Sequence, residues 1–289
     1  MKYIDEFIVE LKYVKNYSIN TMESYRTDLE KFQEYMGNVD LKNVTNSDIQ
    51  RYIKKLSDLK EKSLARKLSS LRMFYDFMVK KNYISMSPMD GVEGPKIGKY
   101  LPDVLSIEEV DRLLDFEPID NFTFRNRCIL ELLYSTGLRI SELVSLKLEN
   151  IILDESLVKV MGKGSKERIV PLNDVTTEYL EKYIKDVRPQ MMKGFATDYL
   201  FLNNHGKGLT RQAVFKMIKK RAEDIGLKKS ISPHTLRHTF ATHLLQNGAD
   251  IRFIQELLGH AELGTTEIYT HVANETLKKD YDELNPRDN

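Results

Sequence analysis

Residues 234–238 read HTLRH. Two histidines four apart on a helix can share a metal ion, and a histidine and an arginine three apart can share a phosphate. On a helical wheel Leu236, Phe240 and Leu244 form an apolar stripe, and His243 falls inside it, which marks His243 as a packed core histidine. His234 and Arg237 lie about 60° apart on the same wheel, with Arg237 bordering the stripe. Zinc helices usually place a glutamate beside the first histidine and a third ligand at recognisable spacing. Here Thr235, Leu236 and Arg237 stand between the two histidines, and a guanidinium within one turn opposes a dication. The phosphate reading is favoured, and no metal site is expected.

That reading gathers partners along the chain. A planar arginine fork suits bidentate contact with phosphate oxygens. A second arginine, Arg139, follows a helix-ending glycine in STGLRISEL. Lys163 stands between two glycines in GKGSKER, where a hairpin turn would deliver its ammonium. All six histidines lie beyond residue 204, and LGHAELGTTEIYTHV places His260 and Tyr269 nine residues apart. Each has an ordinary explanation alone: an arginine capping carbonyls, a solvated lysine, a packing tyrosine. Together they equip a site for phosphodiester transfer. Negative charge builds on the phosphorane, and each preorganised donor aimed at it supplies roughly 3–4 kcal/mol by analogy with oxyanion holes. A tyrosine with a pKa of about 10 needs a proton acceptor or a positive field to attack at neutral pH. The leaving alkoxide needs a general acid, and protonating it is worth on the order of 100-fold.

The elements that must position these groups come from periodicity. The first 90 residues show four amphipathic stripes: Ile4, Phe7, Ile8 and Leu11; then Met22, Tyr25, Leu29 and Phe32 after Ser18 as N-cap; then Ile49, Ile53 and Leu56 after a start at Ser47; then Leu64, Leu68, Leu71, Tyr75 and Met78. Such stripes close into a small four-helix domain over 1–90. GVEGPKIGKYLPD, residues 91–103, holds three glycines and two prolines and reads as a linker. A second domain over 104–289 opens with Ser106 and Glu109 as a capping box, and with Leu105 and Val110 at staple spacing. It is mostly helical, with short strands over 151–172 around the GKGS turn. Helical patterns cover 174–187, 210–226, 233–247, 250–258 and 274–284.

Composition bounds the rest. The net charge of +1 hides a division, with +4 in residues 1–100 and −3 in the remainder. Residues 51–81 carry ten basic against three acidic side chains, which reads either as a solvated helix face or as a footprint for nucleic acid; with the family resemblance given below, Lys54, Lys62, Arg66, Lys67 and Arg72 are expected to contact the DNA backbone or groove edges. No apolar run approaches the roughly 18 residues of a membrane span. The opening MKYIDEFIVELKYV alternates like a helix rather than a signal peptide. The single cysteine, Cys128, sits in an apolar run, so no intramolecular disulfide forms and a cytoplasmic location is expected.

In order and spacing these segments resemble the tyrosine site-specific recombinases of the phage-integrase family, closest to the Xer class. ARKLSSLRMFYDFM, TGLRISELVSL, GKGSKERIVPL, SPHTLRHTFATHLLQNGADIRFIQELLGH and TTEIYTHV carry the resemblance, which covers nearly the whole chain. Ala261 to Gly264 is a less usual filling, but the spacing from His260 to the tyrosine is kept. The resemblance implies a SAM-like core-binding domain before a mostly α-helical catalytic domain with a small antiparallel sheet. It implies Tyr269 as nucleophile forming a 3′-phosphotyrosine, Arg139 and Arg237 as clamps on the scissile phosphate, and Lys163 as general acid for the 5′ oxygen. His234 would move the tyrosine proton, His260 would donate to the phosphate, and Glu142 would orient Arg139. His205, His238 and His271 are expected to stand outside the chemistry. No cofactor is implied, because the phosphotyrosine conserves the bond energy. The resemblance further implies two domains closing around double-stranded DNA, and four protomers, identical or paired with a related recombinase. They would be linked by a last helix exposing Leu277, Tyr281 and Leu284 to a neighbour. The role implied is resolution of chromosome dimers at a dif-like site, with activation by an FtsK-type translocase. Integration or excision of a mobile element or phage is the alternative role. A type IB topoisomerase, a non-catalytic DNA binder and a zinc hydrolase are rival readings, separated by site dependence, covalent attachment and metal content.

Overall fold

The computed structural model describes residues 2–13, 17, 19–95, 103–162, 167–194, 196–259 and 281–285. The chain divides into two compact units, Met1–Tyr100 and Leu101–Asn289.

The first unit is built from α1 (Lys2–Tyr13), α2 (Ile19–Met36), α3 (Asn46–Lys55) and α4 (Glu61–Lys80). The third helix begins one residue earlier than the expected Ser47. Thr45 accepts from the Asp48 amide while the Asp48 carboxylate accepts from the Thr45 amide, and this reciprocal pairing sets the start at Asn46. Ser18, expected as the N-cap of α2, lies outside the described residues. The apolar stripes meet in one core, where Phe7, Leu29, Phe32, Leu71, Phe74, Tyr75 and Met78 are all buried. Phe7 meets Phe74 edge to face at 5.6 Å, and Phe32 meets Tyr52 at 4.9 Å. Asp28 is an acidic residue inside this assembly, 3% exposed, and its burial is offset by Arg66, Lys67 and Ser70 from α4.

The second unit is organised around α6 (Asn121–Thr136), in which every residue from Arg127 to Thr136 is buried. Before it lies α5 (Ile107–Leu114), whose capping box forms as expected: Ser106 accepts from the Glu109 amide and Glu109 from the Ser106 amide. After it come α7 (Ile140–Ser145) and a three-stranded antiparallel sheet of β1 (Ile151–Ile152), β2 (Leu157–Met161) and β3 (Glu167–Pro171). Register pairs Val158 with Val170 and Val160 with Arg168, so these side chains share the buried face of the β2–β3 ribbon. Next, α8 (Asp174–Lys182) runs through a π-turn over Tyr183–Val187 into the short α9 (Arg188–Met191). Then come α10 (Arg211–Asp224), α11 (Pro233–Gln246) and α12 (Ile251–Leu258), and residues 281–284 are again helical. Packing of α11 on α6 brings Leu236, Phe240 and Leu244 into the core. Of the expected linker, residues 96–102 lie outside the described residues.

One expectation is corrected here. The stripe Leu277, Tyr281, Leu284 is expected to be exposed. Leu277 lies outside the described residues, but Tyr281 is fully buried in its own unit and Leu284 packs against the same core. The Tyr281 hydroxyl donates to the Ser135 carbonyl at 2.6 Å, one of the orphan carbonyls in the last turn of α6. The Asn247 side-chain amide donates to the Leu284 carbonyl at 3.0 Å. Tyr281 is therefore buried in this chain rather than exposed.

Candidate active site

Two helix ends and one strand assemble the site. Helix α6 stops at Gly137, whose φ of +59° reverses the chain so that Arg139 emerges at the start of α7. A side chain at Gly137 is sterically excluded: a Cβ there would sit 2.5 Å from Phe240 and 2.8 Å from Leu258. Glycine therefore lets α6, α11 and α12 converge on one point.

At that point the last carbonyls of α12 are occupied by guanidinium groups from three different elements. Leu257 accepts from Arg168 Nε at 2.8 Å, Leu258 from Arg237 Nη2 at 2.6 Å, and Gly259 from Arg139 Nη2 at 3.3 Å. A helix leaves its final C=O groups unpaired and carries partial negative charge at that end, so it is a natural seat for cations. Arg237 also donates to the Gly137 carbonyl at 2.6 Å.

Glu142 is the counter-charge. Its Oε1 accepts from Arg139 Nη1 at 2.8 Å and Arg168 Nη1 at 3.0 Å. Its Oε2 accepts from the Arg139 backbone amide at 2.8 Å and Arg168 Nη2 at 2.9 Å. Burial pushes the Glu142 carboxyl up, but the hydrogen bonds and charge of Arg168, with the hydrogen bonds of Arg139, outweigh it and lower its pKa below the ordinary value. Burial, then the neighbouring Arg139 charge, lowers Arg237 to about 10, which leaves it protonated at neutral pH. Three cations around one carboxylate give the cluster a surplus of positive charge, and Arg139 keeps about a third of its side chain exposed.

The structure thus brings together Arg139, Arg237 and Glu142. His234 is exposed near the N-terminus of α11, one turn before buried Arg237, on a helix capped by Ser232 and begun by Pro233. Lys163, His260 and Tyr269 lie outside the described residues; Gly259 immediately precedes His260 in sequence. His243 is 3% exposed and bonded to Tyr134 and to the Leu105 carbonyl, as its place in the apolar stripe implies. His238 is half-buried and His205 sits in an exposed turn.

The five expected DNA contacts fare unevenly. Lys54 and Lys62 are exposed. Arg66 and Lys67 both reach Asp28, at 3.0 and 2.8 Å, and the Lys67 side chain is only 12% exposed. Arg72 donates to the Val92 carbonyl at 2.9 Å.

Two features escaped the sequence reading. Arg168 was hidden in GKGSKERIV, where a charged residue beside a hairpin looks solvated; its alternation with Val170 was the available signal. The outer face of α10 exposes Arg211, Phe215, Lys216, Lys219 and Lys220, but the net negative charge of the second half averaged that basic helix away. Among the described residues no helix is long and apolar enough to cross a membrane.

Residues 103–276 match the model of the phage integrase family, and residues 4–82 match that of the phage integrase N-terminal SAM-like domain. Tyrosine recombinase XerD of Staphylococcus aureus (strain N315) is 45% identical over 290 residues, 98% of either chain. Among solved structures, that of XerA recombinase is 31% identical, covers 99% of this chain and 95% of its own, and gives a TM-score of 0.52. XerH site-specific recombinase, solved in a post-cleavage complex with a palindromic difH substrate, is 24% identical, covers 98% and 82%, and shares the fold at a TM-score of 0.71. The chain belongs to the phage integrase family, among its Xer-type tyrosine recombinases.

Proposed function

We propose that this protein is a site-specific recombinase that cuts and rejoins double-stranded DNA through a 3′-phosphotyrosine, and that it resolves chromosome dimers at a dif-like site. The observation that carries the chemistry is the seating of Arg139 and Arg237 on adjacent carbonyls, Gly259 and Leu258, beside a shared carboxylate. Two guanidinium groups held by a helix end form a rigid fork for a phosphate, preorganised where charge develops.

The Tyr269 oxygen attacks the phosphorus, its proton passing to His234, and a P–O bond forms to the tyrosine. The P–O5′ bond breaks, and Lys163 gives its proton to the 5′ oxygen. Arg139 and Arg237 hold the non-bridging oxygens throughout, with His260 as a further donor. Attack by the 5′ hydroxyl of another strand reverses these steps and completes exchange without a cofactor. Lys54 and Lys62 of the first unit and the exposed basic face of α10 supply phosphate contacts outside the site.

Strand exchange between two duplexes calls for four protomers, either four copies or two of each of a related pair, and a DNA translocase of the FtsK type is the candidate activator. The working location is the cytoplasm. If trapped sites belong to a mobile element rather than to the chromosome, integration or excision is the role.

The test uses nicked duplexes that trap cleavage intermediates, without added metal. The expected result is a covalent protein–DNA adduct with the native chain and none with Tyr269→Phe. Tight DNA binding with no adduct in either protein would reduce the molecule to a binding module.

A further inference from the structure

Arg168 is the least expected member of the arginine cluster. It issues from β3 on the buried face, opposite Val160, with its side chain only 10% exposed. Every nitrogen of its guanidinium is used: Nε on the Leu257 carbonyl, Nη1 on Glu142 Oε1 and Nη2 on Glu142 Oε2. A bidentate clamp of this kind fixes the plane of the carboxylate it holds. Glu142 then has one arrangement in which to meet Arg139, through both its backbone amide and its Nη1. Gly259 is shaped to this purpose, because a Cβ there would come within 3.1 Å of Arg168 Cδ and Nη1, and its φ is +64°. Its own carbonyl receives Arg139.

We propose that Arg168 is a positioning residue for strand cleavage: by locking Glu142 against the end of α12, it fixes the Arg139 fork toward the scissile phosphate. With its three nitrogens spent on Leu257 and Glu142, Arg168 acts in this reading through Glu142 rather than on the phosphate. Without it, Glu142 keeps Arg139 as its one hydrogen-bonded cation among the described residues and gains the freedom to rotate, and the fork rotates with it. Because β3 begins just beyond the segment holding Lys163, the same contact ties the base of that hairpin to α12. The assignment rests on the cleavage reading above.

A neutral substrate distinguishes positioning from mere anchoring of a strand. A methylphosphonate at the scissile position lacks the negative charge that Arg139 serves, so damage acting through Arg139 matters less there. Single-turnover cleavage of a phosphate and a methylphosphonate duplex is measured with the full-length native chain, Arg168→Gln, Arg168→Lys and Arg139→Gln, with thermal unfolding of each variant alongside. Arg168→Gln is expected to slow cleavage of the phosphate about 10- to 100-fold, the loss typical when the partner orienting a functional side chain is removed. The loss on the methylphosphonate should be several-fold smaller, in parallel with Arg139→Gln. Arg168→Lys, a point charge without the fork, should recover only part of the rate, and it carries the comparison if Arg168→Gln unfolds. In a Glu142→Gln background, Arg168→Gln should add little, because the two act through one contact. Equal losses on both substrates, or no loss, would overturn the assignment. A native chain that cleaves neither substrate would overturn the cleavage reading and the assignment together.

Discussion

At the scale of single residues, burial decides which polar groups stay available for chemistry. His243 shows this on α11, the helix that also carries His234 and Arg237. Its Nε2 lies 2.9 Å from the Leu105 carbonyl, which can only accept, so Nε2 holds the proton. Its Nδ1 is left to accept the Tyr134 hydroxyl at 2.8 Å. Burial lowers the pKa of His243 below its ordinary value of 6.5, so the folded protein keeps the ring neutral. The unfolded chain takes up the proton first as pH falls, so the stability contributed by His243 is complete above pH 6.5. It is lost as pH drops from there through the folded value. Denaturant unfolding at pH 7.5 and 5.5 should show the native chain losing stability over that window. His243→Gln, which can still donate and accept at the two positions, should lose less. An identical loss in both would assign the acid sensitivity elsewhere.

At the scale of elements, the site depends on how closely helix ends can approach. Gly137 is the point of nearest approach, since α11 and α12 leave no room for a methyl group. Gly137→Ala combines a left-handed backbone with an overpacked contact, for a cost of about 2–3 kcal/mol. In a unit of this size that lowers Tm by roughly 5–10 °C. Relief of the clash would push α12 away from α6 and so separate the carbonyls that seat Arg139 and Arg237. Cleavage should therefore fall further than the stability loss explains at temperatures where the variant is folded. A variant with normal Tm and normal cleavage would show that the helices have slack which the packing around Phe240 does not suggest. The buried Tyr281 belongs to the same logic, because it satisfies a carbonyl at the C-terminal end of α6, two residues before Gly137.

At the scale of the whole molecule, two units with separate cores divide the work: a helical bundle with a basic face, and a larger unit with the arginine cluster. Binding through phosphate contacts follows counterion release, each contact adding about one to the dependence of log K on log salt. Exposed Lys62 should count in that slope, whereas Lys67 is spent on Asp28. Lys62→Ala is expected to reduce the salt slope by about 1 with Tm unchanged. Lys67→Ala should instead lower the stability of the first unit and leave the slope nearly intact. A matching fall in slope for both would mean that Lys67 leaves Asp28 when DNA binds.

What the chain determined by itself follows from repetition and from chemistry. Helix stripes such as Leu64–Leu68–Leu71–Tyr75–Met78 are legible because a period of 3.6 residues directs them all inward. That Arg139, Glu142 and Arg237 belong together is legible because they stand in contiguous motifs whose residue types suit one chemistry, and the structure does gather them at the end of α12. Which polar groups pair with which was left to the tertiary structure. Asp28 pairs with Arg66 and takes Lys67 out of the exposed basic set, Tyr281 turns into its own unit, and Arg168 joins the arginine cluster from a strand. Each of these contacts joins residues far apart in sequence through hydrogen bonds that have no period. The end of α12 gathers three arginines only because three carbonyls are left without helical partners there, a fact of geometry that no local spacing encodes.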